Sequence, residues 1–127
     1  MAAAIARSLL GLTAEVQSAG LETADGLPAT KHAVTVMKEM GLDASQHRSR
    51  SIQNFDVKVF DLIIAMTPDI ASKLCAMGAE SRKIRSLHVS GPYGRSVEVY
   101  RTTANEISEK LRRLFGQDMR GDIDDEL

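Results

Sequence analysis

The chain is short of cysteine, of net charge and of long apolar stretches, and each shortage removes a class of explanation. A single cysteine, Cys75, excludes an internal disulfide and fits a reducing, cytoplasmic setting. Lys and Arg number 16 against 17 Asp and Glu, a formal charge of −1. Neither a nucleic acid nor an anionic membrane surface therefore finds bulk electrostatic attraction here. The longest apolar run, Leu62-Ile63-Ile64-Ala65-Met66, is far too short to cross a bilayer. No basic region precedes a hydrophobic one near Met1, so a secretory signal is not expected. His32, His47 and His88 lack metal-ligand spacing, and the acidic run Asp122–Glu126 lacks the calcium-loop pattern. Neither a metal nor any other cofactor is expected.

What is present reads as one α/β domain. A chain of 127 residues with 43% hydrophobic content can bury roughly two-thirds of its unfolded surface. Residues 1–11 read as a helix entered without a cap and ended by Gly11. Glu15-Val16-Gln17-Ser18 is a short strand candidate closed by Ala19-Gly20. Pro28 opens a helix that runs to Met40, with Ala29, Ala33, Val36, Met37 and Met40 on one face. A polar stretch centred on His47-Arg48-Ser49-Arg50 and a helical turn near Phe55–Val57 lead to Leu62–Met66. The unbroken apolar run there predicts a strand buried on both faces of a parallel sheet. Thr67 and Pro68 start the next helix, which ends near Gly78. Cys75 sits within it between Leu74 and Ala76 and reads as a small buried hydrophobe. Ile84, Leu87 and Val89 predict another strand. After Gly91-Pro92-Tyr93-Gly94 comes a long helix, Ser96 to Phe115, with Val97, Tyr100, Ala104, Ile107, Leu111 and Leu114 as its core stripe. The order αβααβαβα implies right-handed crossovers on a parallel sheet. Residues 1–115 are read as the domain and 116–127, with five acids and one arginine, as a flexible acidic tail.

Five segments, in order and spacing, resemble the low-molecular-weight protein-tyrosine-phosphatase family, with its arsenate reductase and arginine phosphatase relatives. They are Met1–Arg7, Ser18-Ala19-Gly20, Gly41 through Arg50, Asp61–Thr67, and Gly91-Pro92-Tyr93-Gly94 with Val99-Tyr100 and the last helix. The resemblance spans roughly residues 1–115. It implies a three-layer α/β/α fold on a parallel sheet of order 2-1-3-4. It also implies phosphomonoester hydrolysis through a cysteinyl-phosphate, with a Cys-x5-Arg-Ser loop after the first strand. That loop joins a thiolate nucleophile to preorganised donors for the equatorial oxygens.

Two departures follow from the same comparison. Met1-Ala2 matches the residues just after the loop, so the sheet is expected to lack its first, central strand. The general-acid aspartate of the family falls on Gly91, which has no proton to give. By resemblance, Ser18 and His47 would support the phosphate loop, Arg50 would brace the loop carrying Tyr93, and Tyr93 would wall the substrate cleft. Read from the residues alone, His47 is an exposed loop histidine, Arg48 and Arg50 are solvated or paired cations, and Tyr93 either packs on the last helix or faces a cleft. Three functions stay open: an inactive phosphatase-like binder of phosphate or a phosphoprotein, a late-start form of an active phosphatase, and a non-catalytic dimerising module. A homodimer is expected, because an emptied sheet position buries a helix face poorly.

Overall fold

The computed structural model describes the backbone of residues 1–126 and the side chains of residues 1–116. The elements are α1 (Ala2–Leu10), α2 (Lys31–Glu39), β1 (Ile63–Ala65), α3 (Pro68–Ala76), β2 (Ile84–Ser86) and α4 (Val97–Glu126), joined by short 3-10 turns. β1 and β2 run parallel, with Ile63 opposite Ile84 and Ala65 opposite Ser86. Side-chain alternation divides the core into two. Leu62, Ile64 and Met66 join Leu87 and Val89 against α1, α2 and α4. Ile63, Ala65 and Ile84 face α3 through Leu74 and Ile70. Helices therefore cover both faces of a two-stranded parallel sheet, the α/β layering expected.

α4 carries the larger core. Tyr100, Ala104, Ile107 and Leu111 are buried at the spacings of three and four read from the sequence, with Phe115 continuing the stripe. Ile5 and Ala6 of α1 and Ala33, Val36 and Met37 of α2 complete that cluster. Arg101 clamps α2 to α4 by donating from Nε and Nη2 to the two carboxylate oxygens of Glu39, both at 2.8 Å. The Tyr100 ring packs edge-on to His32, with centroids 5.4 Å apart, and Thr30 Oγ1 donates to its hydroxyl at 3.1 Å. The side chains of 117–127 lie outside the described residues; the backbone of α4 runs on to Glu126, past Phe115 where the helix was expected to give way to a tail.

Several local readings are corrected. α2 starts at Lys31, because the Thr30 side chain accepts from Ala33 N–H and caps it, whereas Pro28 sits in an antiparallel bridge with Arg48. α2 and α3 close alike: Gly41 and Gly78 take φ 78° and 102°, and Leu42 and Ala79 N–H groups return to Met37 and Leu74 carbonyls. Thr67 caps α3 with Pro68 at its first position, as expected. The strand expected at Glu15–Ser18 does not form. A strand exists only through a neighbour's ladder; here the Val16 carbonyl accepts instead from the Arg7 guanidinium, at 2.8 and 3.2 Å. β1 is three residues long, and of its run only Ala65 is buried while Leu62, Ile63, Ile64 and Met66 are half-buried.

Candidate functional site

The segments that carry the candidate residues are drawn together by main-chain bonds. Gly20 N–H donates to Arg50 C=O and Ile52 N–H to Gly20 C=O, both at 2.9 Å, so the Ser18-Ala19-Gly20 stretch runs beside residues 50–52. Asp25 locks the outer side of this pairing. One carboxylate oxygen accepts from Ser51 N–H at 2.6 Å and, with its partner oxygen, from Asn54 Nδ2 at 2.9 and 3.1 Å. These donors stabilise the ionised form and hold Asp25 below the usual carboxylate range. Ser49 adds four bonds to the same latch: its hydroxyl donates to Ala24 C=O at 2.5 Å and accepts from Leu27 N–H at 2.9 Å, its N–H donates to Leu27 C=O at 2.7 Å, and its carbonyl accepts from Gly26 N–H at 2.8 Å.

Within this frame a cluster of positive charge forms around the first turn of α1. That turn has no side-chain cap and no acidic residue, so its N–H groups carry the positive end of the helix dipole uncompensated. Arg7, which the sequence reading did not single out, reaches from α1 to Val16. No sequence pattern could have found it, since its partner is a backbone carbonyl nine residues on. His47 is half-buried nearby. Burial lowers its pKa first, and the Met1 amino group, Arg7 and Arg48 lower it further. Every charged neighbour that moves His47 is a cation, the pattern of a place suited to an anion.

The sign of that shift gives a measurable expectation. The fold favours neutral His47, so the unfolded chain takes up the proton first as pH falls. Stability is therefore lost as pH drops below the ordinary value of 6.5. The His47 ring protons are expected to titrate below 6.5 by NMR, and His47→Gln to flatten the loss of stability below neutrality. Titration at or above the ordinary value would contradict the cationic environment.

The other candidates lie apart from this cluster. Arg50 is exposed and stacks its guanidinium over Phe55, 4.9 Å from the ring centroid, with Phe60 beside Phe55 at 5.9 Å. Tyr93 is 84% exposed. Gly91 is exposed, and a Cβ built on it meets nothing within 4 Å. Cys75 is exposed, not buried as its sequence neighbours implied. α3 buries Leu74 and turns the next residue away from the core. Among the described residues no group of three His, Cys, Asp or Glu converges as a metal site would require, and no helix is long and apolar enough to cross a membrane.

Comparison with known proteins assigns the class. The family model for low molecular weight phosphotyrosine protein phosphatase matches residues 1–124, so the chain belongs to that family. A protein-arginine-phosphatase of Geobacillus stearothermophilus is 32% identical, aligned over 90% of this chain and 83% of its own. A glutaredoxin arsenate reductase of Synechocystis is 27% identical over 92% of this chain and 86% of its own. Among solved structures, a low molecular weight protein tyrosine phosphatase from T. tengcongensis superposes with TM-score 0.82 at 33% identity, covering 91% of this chain and 88% of that one. The arginine phosphatase of Geobacillus stearothermophilus superposes with TM-score 0.85 at 27% identity, covering 97% and 86%.

Proposed function

We propose that these 127 residues form a phosphatase-family scaffold that shows no turnover by itself, keeping the cationic surroundings of an anion cleft and holding no Cys-x5-Arg loop. The observation that carries this reading is the position of its only thiol. Cys75 is followed six residues later by Ser81 rather than arginine, and it lies on α3, which packs against the sheet face opposite α1. A cysteinyl-phosphate pathway needs a thiolate held against preorganised anion donors, and Cys75 stands on the wrong face for the bare first turn of α1. Gly91 independently removes the proton donor; loss of a positioned general acid alone costs about 10² to 10⁴ in rate.

The ligand this reading supplies is phosphate, free or on a protein, held weakly by Arg7, His47 and Arg48 at the start of α1. A single cysteine is in keeping with a cytoplasmic setting. Isothermal titration with inorganic phosphate is expected to give saturable heat and to raise the His47 pKa, since a bound anion favours the imidazolium. Steady-state assays with p-nitrophenyl phosphate and with phosphotyrosine or phosphoarginine peptides are expected to stay at the buffer blank. Release proportional to protein would refute the loss of turnover, and absence of phosphate binding would refute the retained cleft.

A second reading, a dimerising module, rests on β1. An apolar strand in a parallel sheet is normally covered on both faces, yet four of the five residues Leu62–Met66 are only half-buried. We infer that a second copy covers part of this surface, giving a homodimer with an isologous interface. Sedimentation equilibrium is expected to show self-association at micromolar concentration. A single monomeric species there would exclude it.

A further inference from the structure

We draw no further inference here: the strongest candidate, the edge of β1 that faces away from β2, with Val16 packed into one core cluster beside it and Leu21 into the other, belongs to the surface already assigned to a second copy, and nothing in the structure shows what else would lie along it.

Discussion

Truncating Leu111 to alanine is expected to destabilise the fold by about 2 to 5 kcal/mol, the cost of deleting a buried leucine side chain and leaving part of its volume empty. Leu111 is 1% exposed, and it lies in the same cluster as Ile5 of α1 and Met37 of α2. The loss compares with the entire stability of a small domain, about 5 to 15 kcal/mol, so a chain of this size would sit near its unfolding threshold. Urea denaturation measures it as a fall in midpoint at constant slope. Arg113→Ala, two residues along on the exposed side of α4, removes only a surface ion pair with Glu109 and is expected to change stability by less than about 0.5 kcal/mol. Equal effects at the two positions would mean that α4 is not docked by this stripe.

On the proposed reading, placing an acid at residue 91 is expected to restore nothing. Gly91→Asp fits sterically, since a side chain there meets open space and the glycine does not use the left-handed backbone region. In an otherwise intact enzyme of this family such an addition would be worth about 10² to 10⁴ in rate. In this polypeptide it should give no measurable release from p-nitrophenyl phosphate, because an acid assists only a leaving group that a nucleophile is already displacing. Any clear gain from Gly91→Asp would show that a nucleophile operates somewhere in the chain and would end the pseudophosphatase reading.

Much of this architecture was legible because its determinants are local. The α4 stripe from Tyr100 to Leu111 announces itself by period, and Thr67-Pro68 marks the start of α3 by chemistry that acts within one turn. The readings that failed depended on distant partners. Glu15–Ser18 has strand composition, but whether it pairs is decided elsewhere, and here the Val16 carbonyl is taken by Arg7. Pro28 suits a helix start, yet the Thr30 side chain and the bridge to Arg48 move that start to Lys31. Cys75 looked buried because Leu74 and Ala76 flank it; only the orientation of α3 on the sheet shows the thiol exposed. Of the candidates named from the sequence, His47 sits beside Arg7 and Arg48, whereas Arg50, Tyr93 and Gly91 are exposed. The cationic character around His47 was not legible, because Arg7 meets it through tertiary packing alone.

Covalent capture of the phosphoryl group tests the central claim most directly. The polypeptide is mixed with excess p-nitrophenyl phosphate, quenched in acid within the first seconds and measured by intact mass, alongside its Cys75→Ala variant. The predicted outcome is an unmodified mass for both proteins at every time point. A phosphorylated species that accumulates and then turns over, in either protein, would contradict the account.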